Sequence, residues 1–219
     1  MVISYYGLSC FKIQSGDTSL VFDLPSKKSA VKPPRFQADI FVQSHDHDGH
    51  NGVESIAREK ARLPARQEFF LVDSPGEYEI KGIYIRGMKS FHDSVSGKKH
   101  GVNTVYMARC ENVKLCFMGD FGEKEIRPEL KEEIGEIDVL FVPIGGETVL
   151  DVEGARNAIN QIEPAVAIPM HYPDNGKALK SFLAEMGQKD VKPVEKFSIK
   201  KKDIDGNGTS IVVLENQGA

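Results

Sequence analysis

The chain has 219 residues, 40% of them hydrophobic, with 28 basic against 32 acidic side chains and a formal net charge of -4. That is enough apolar material for one substantial core, and a single domain over 1–219 is the default expectation. The charge balance argues against a dedicated nucleic-acid or membrane-surface binder, and no stretch approaches the roughly 18 consecutive apolar residues of a membrane span. The three cysteines, Cys10, Cys110 and Cys116, form no C-x-x-C pair and are odd in number. They read as buried free thiols in a reducing compartment, and the N-terminus lacks a basic segment followed by an apolar one. A soluble, cytoplasmic protein is therefore expected.

In chain order, Val2–Tyr6, Cys10–Ile13 and Ser19–Phe22 are β-branched or aromatic runs separated by turn residues, including Ser15-Gly16-Asp17. Ile40–Gln43 is the next predicted strand, followed by a histidine-rich loop and then a weakly patterned helix over Gly52–Arg62. Phe69–Val72, Tyr78–Ile80 and Ile83–Met88 read as strands, and Lys89–His100 as a loop carrying His92. Thr104–Ala108 and Val113–Met118 form a predicted hairpin that runs into Gly119-Asp120. A charged amphipathic helix is predicted over Glu123–Ile134, a strand over Asp138–Val142, and a helix over Val152–Ile162 with Ala155, Ala158, Ile159 and Ile162 on one face. Ala165–Pro169 delivers Met170-His171-Tyr172, Gly176–Met186 is the last predicted helix, and Val194–Ile199 and Ser210–Leu214 are terminal strands around a turn at 205–208. One internal echo stands out. Asp39-Ile40-Phe41-Val42 resembles Asp138-Val139-Leu140-Phe141-Val142, each an aspartate opening an apolar strand, which is compatible with a duplicated half-structure.

The chemistry concentrates after Ile40–Val42, where Ser44-His45-Asp46-His47-Asp48-Gly49-His50 places three of the six histidines within six residues. On extended backbone a His-x-His pair puts both imidazoles on one side, so His45 and His47 can reach one ion. Once the chain turns at Gly49, His50 faces the same cavity. Zinc and similar ions take three or four nitrogen, oxygen or sulfur donors. The further donors His92, Asp120 and His171 each follow an apolar strand, and donors arriving at strand ends are how a rigid scaffold preorganises a metal cavity.

These residues, with Tyr6-Gly7-Leu8-Ser9-Cys10-Phe11, Leu20–Asp23 and Pro169-Met170-His171-Tyr172, resemble the metallo-β-lactamase fold superfamily over nearly the whole chain. The resemblance is to the small branch of zinc-dependent hydrolases that includes an ascorbate-phosphate lactonase. It implies an α+β fold, a four-layer αββα sandwich of two mixed sheets flanked by helices. It also implies a zinc cofactor of one or two ions, with manganese or iron as substitutes. His45, His47 and His92 would hold the first ion, Asp120 would bridge, and His50 and His171 would belong to the second. Asp120 and His171 are the candidate catalytic residues, and Asp23 is expected to hydrogen-bond a ligating imidazole. The sequence departs from the His-x-His-x-Asp-His signature at one position, where Gly49 replaces the aspartate. Asp48 is adjacent but points the other way on extended backbone, so one tightly held ion or a weakened second site is expected.

The implied reaction is hydrolysis of a small, anionic ester, lactone or phosphodiester by metal-activated water. Lys89, Lys98, Lys99 and Lys177 flank the candidate loops and favour an anionic substrate. Two alternatives are a noncatalytic metal- or ligand-binding protein that kept the fold, and a metal-dependent nuclease, which the slightly acidic balance disfavours. No nucleic-acid or membrane partner is expected.

Overall fold

The computed structural model describes residues 1–34, 37–53, 69–173, 176–204 and 208–218. Thirteen strands among them form two mixed sheets. The first has the order β12-β1-β2-β3-β4-β5, from β1 (Val2–Tyr5), β2 (Phe11–Ser15), β3 (Thr18–Phe22), β4 (Ile40–Val42), β5 (Phe70–Val72) and β12 (Phe197–Ser198). The second has the order β13-β11-β10-β9-β8-β7-β6. Its strands are β6 (Gly76–Ile80), β7 (Ile83–Phe91), β8 (Val102–Cys110), β9 (Val113–Phe117), β10 (Val139–Pro143), β11 (Val166–Met170) and β13 (Ser210–Ile211).

Alternation along the strands decides how the sheets stack. Leu20, Phe22, Ile40 and Val42 turn one way into a core shared with Ile85, Val105, Leu115, Phe117 and Phe141 of the second sheet. Phe22 stacks on Phe117 with centroids 4.5 Å apart, and Phe11 meets Phe141 at 4.7 Å. Complete burial of each such ring is worth about 1.5–3 kcal/mol. The intervening Val21 and Phe41 turn the other way, into a smaller cluster with Cys10, Leu24, Ala38 and Val53. All five residues of β10 and of β11 are buried, as parallel strands covered on both faces must be.

Three α-helices are described, α1 (Pro128–Ile134), α2 (Val152–Ile162) and α3 (Lys177–Glu185), with one 3-10 turn at Lys201–Asp203. The Asp151 carboxylate caps α2 by accepting from Gly154 N at 2.8 Å, and Ala155, Ala158, Ile159 and Ile162 are its buried residues, as its spacing predicts. The expected α+β sandwich of two mixed sheets is thus what the described residues form. The helix expected over Gly52–Arg62 falls on residues 54–68, and the turn expected at 205–208 on residues 205–207. Both lie largely outside the described residues.

Several boundaries differ from expectation, the terminal strands shortening to Phe197–Ser198 and Ser210–Ile211, and two of the differences bear on the site. Helix α1 begins at Pro128, not Glu123. The residue before a proline is driven out of the helical region, and Arg127 sits at φ -61°, ψ 145°. Glu123 is instead buried, accepting from Phe91 N and from Arg127. Strand β7 also runs on to Phe91, where it pairs with Val102, so the loop opens at His92 rather than Lys89.

The echo at Asp39 and Asp138 extends to the hydrogen bonds. Each aspartate N–H donates to the strand alongside, at Ser19 O and Lys114 O, and each carboxylate accepts back from the same residue's N–H at 2.8 Å. The strand pairings repeat as well. β1 to β5 and β7 to β11 both run antiparallel, antiparallel, parallel, parallel.

Candidate metal centre

Every sequence-selected site residue lies just beyond the carboxyl end of a strand. Asp23 follows β3, His45, His47 and His50 follow β4, His92 follows β7, Asp120 follows β9 and His171 follows β11. The fold brings all seven together. Asp120 Oδ2 is the hub, 3.2 Å from His171 Nε2, 3.3 Å from His50 Nε2, 3.3 Å from His92 Nε2 and 3.8 Å from His45 Nε2. Three groups have their donor atoms close enough to hold an ion: His45, His47 and His50; His45, His92 and Asp120; and His50, Asp120 and His171.

Buried polar groups hold several of the donors from behind. The Asp23 carboxylate, fully buried, accepts from Ser44 N, Ser44 Oγ and His50 Nδ1, each at 2.7 Å. Asn103 Oδ1 accepts from Asp120 N, while its amide donates to Ser90 Oγ and to the Met118 carbonyl. Asp93 accepts from the backbone N–H groups of Val95, Gly97, Lys99 and His100, which folds the loop after His92 and brings the His100 ring to 5.4 Å from that of His92. His171 sits at φ 51°, its N–H donating to the Leu8 carbonyl at 2.7 Å. A Cβ on Gly145 would lie 2.2 Å from the His171 carbonyl oxygen, so only glycine permits this approach.

The electrostatics follow from burial and from the carboxylates. Burial, then the neighbouring His50, push His45 down to about 2. Burial likewise lowers His92 to about 4 against the pull of Asp120. Burial also opposes the His50 cation, but Asp120 and Asp23 outweigh it and raise His50 to about 10. Burial pushes the Asp120 carboxyl up, and His50 with His171 reverse this and hold it well below the usual carboxylate range.

Two buried nitrogens, His45 Nε2 and His92 Nε2, have no hydrogen-bond partner among the described residues. Both face a carboxylate oxygen that could take no proton from a neutral imidazole lone pair. A cation between them resolves the mismatch, and an imidazole and carboxylate donor set fits zinc, manganese or iron.

Gly49 offers no donor, but its surroundings leave room for one. A Cβ there would meet His47 Nδ1 at 3.5 Å and Leu8 Cδ1 at 3.6 Å, both ordinary contacts. Asp48 is directed elsewhere, accepting from Ser26 at its carbonyl and its carboxylate. Asp120 caps no helix, since α1 starts only at Pro128. Among the residues that hold the site, sequence reasoning overlooked Ser44, Asn103 and Asp93. Ser44 and Asp93 each adjoin a candidate histidine, which is the only signal they offered.

The family model for the beta-lactamase superfamily domain matches residues 2–171. The chain belongs to this family. A metal-dependent hydrolase of Thermococcus onnurineus is 28% identical over 190 residues, covering 78% of this chain and 84% of that one. A metal-dependent hydrolase of Listeria welshimeri is 29% identical over 197 residues, covering 78% and 85%. Among solved structures, a Thermotoga maritima protein assigned to the Zn-dependent hydrolases of the metallo-beta-lactamase superfamily superposes with a TM-score of 0.74 at 26% identity, covering 98% of both chains. The stretch matched by the family model contains β1 to β11 and the loops that carry the donors.

Proposed function

We propose that this chain is a metal-dependent hydrolase of a small anionic ester, lactone or phosphodiester. The observation that carries the reading is the Asp120 carboxylate, which has four imidazole Nε2 atoms within 3.8 Å, two of them on partnerless buried nitrogens. The names of the Thermococcus and Listeria relatives support metal-dependent hydrolysis in general. The substrate class rests on Lys98, Lys99 and His100 standing exposed on the loop beside His92.

In this reading His45, His47 and His92 would hold the first ion, His50 and His171 would serve the second, Asp120 would be available to both, and zinc would be the metal. When bound, the ion supplies Lewis acidity and a water of lowered pKa. The protein's own residues supply the rest. Asp120 orients the attacking water from a buried position. The His171 side chain is 21% exposed, more open than those of His45, His50 and His92, while His47 is exposed. Asp23 keeps His50 aligned. The chain works as one domain over 1–219 in the cytoplasm, consistent with three buried free cysteines and with no described helix long and apolar enough to cross a membrane.

The test is metal content of the purified chain, followed by turnover assays on ester, lactone and phosphodiester panels. His45→Ala and His47→Ala should each lower both metal content and turnover. A second reading, a noncatalytic metal-binding protein, is favoured by Gly49, which withholds the carboxylate of the family signature. Bound metal with no turnover on any panel would favour it. Tight, salt-sensitive RNA or DNA binding would instead point to a nuclease.

A further inference from the structure

Ser44 makes two contacts that constrain each other. Its Oγ lies 2.7 Å from Asp23 Oδ2 on one side and 2.9 Å from His45 Nδ1 on the other. A serine hydroxyl has one proton, and a carboxylate can only accept. The Ser44 proton therefore goes to Asp23, and an oxygen lone pair faces His45. His45 Nδ1 must then donate, which leaves His45 Nε2 without a proton. That bare atom is one of the two buried nitrogens with no hydrogen-bond partner among the described residues, 3.8 Å from Asp120 Oδ2.

The hydroxyl has little freedom to turn away. Ser44 is 2% exposed, its carbonyl accepts from Thr104 N at 2.9 Å, and its own N–H donates to Asp23 Oδ1. Gly119, at φ 57°, packs directly on it. A Cβ at that position would lie 2.7 Å from Ser44 Cβ and 2.9 Å from Ser44 Oγ.

We infer that Ser44 is a positioning residue of the metal centre: it hands the orientation of Asp23 on to His45 and fixes which His45 nitrogen is presented to the cation. One buried carboxylate thereby sets two imidazoles, His50 by direct contact and His45 through the serine. His47 is set the opposite way. Gly49 N–H donates to His47 Nδ1 at 3.3 Å, so there Nδ1 is the unprotonated nitrogen and Nε2 carries the proton. The inference rests on the proposed reading of His45 as a ligand.

The test combines tautomer assignment with metal affinity in the full-length chain. Long-range proton–nitrogen spectra of the chelator-treated, 15N-labelled protein should show His45 protonated at Nδ1 in the wild type and in Ser44→Thr. In Ser44→Ala that preference should be lost. Zinc affinity, read by competition with a chromophoric chelator, should fall about 10–100-fold in Ser44→Ala and stay within about threefold in Ser44→Thr. A purely structural role would not be rescued by threonine together with the tautomer. Protonation of wild-type His45 at Nε2 overturns the inference, and this readout stands even if Ser44→Ala does not fold. Zinc uptake that is indifferent to residue 44 overturns the inference alone. A wild-type chain that takes up neither zinc, manganese nor iron overturns the metal reading and the inference together.

Discussion

His50 Nδ1 lies 2.7 Å from Asp23 Oδ2, with both side chains at most 1% exposed. Asp23 itself stands at φ 43°, a left-handed conformation unusual for a side-chain-bearing residue. The contact joins the end of β3 to the loop after β4, so it acts on fold and site at once. Asp23→Ala should leave the His50 and Ser44 donors unpaired in the interior and cost about 3–5 kcal/mol. Denaturant unfolding of the chelated variant measures this, and a loss below about 1 kcal/mol would contradict the assignment.

His50 also sets a pH dependence. Its pKa is raised to about 10 in the metal-free protein, so it carries a proton at neutral pH. A raised folded-state value contributes stability that is fully present below the unfolded value of about 6.5 and is lost as pH rises toward 10. Metal-free protein should therefore weaken between about pH 7 and 10, and His50→Gln should flatten that limb of the profile.

An ion seated on His50, the second site of the proposed reading, must expel the same proton. Calorimetric zinc titrations in buffers of differing ionisation enthalpy should report about one proton released near pH 7. Affinity should then rise by about tenfold per pH unit below 10. Release of no proton would place His50 outside the ligand set.

Gly49→Asp tests the departure from the family signature. The backbone there is not left-handed and a Cβ makes only ordinary contacts, so the variant should fold with a change within about 1 kcal/mol. Zinc stoichiometry by elemental analysis should rise toward two. An unchanged stoichiometry would mean that the carboxylate is not what limits the second ion.

Gly145→Ala should act through geometry alone. Its Cβ would overlap the His171 carbonyl oxygen, forcing that strained residue or the turn after β10 to move at a cost of about 1–3 kcal/mol. Metal affinity should fall in parallel, measured by chelator competition.

Much of this was legible in the sequence because strand ends are marked by abrupt changes of residue type. Ile40–Val42 breaking into Ser44 and His45, and Val113–Phe117 breaking into Gly119 and Asp120, gave the donors their places. Helical spacing likewise placed α2 to the residue. What escaped notice depends on partners distant in sequence. Glu123 reads as the start of a charged helix, yet the N–H of Phe91 and the guanidinium of Arg127 hold it in the interior. Asp93 reads as loop polarity until four backbone N–H groups converge on it. Ser44 has no periodicity to betray it, because its role lies in where one proton points.

The repeated strand order has a consequence for how the centre comes into being. Asp23, His45, His47 and His50 arise from the β1–β5 half, whereas His92, Asp120 and His171 arise from the β7–β11 half. The turn at Gly145 and Gly146, which occupies in the second half the place that the histidine loop holds in the first, bears no imidazole. Two like halves thus share a single centre at their seam, and both donor groups that include Asp120 draw on the two halves together. An ion seated there works as a rivet between the sheets, so the strength with which it is held also measures how firmly the two halves are closed on each other.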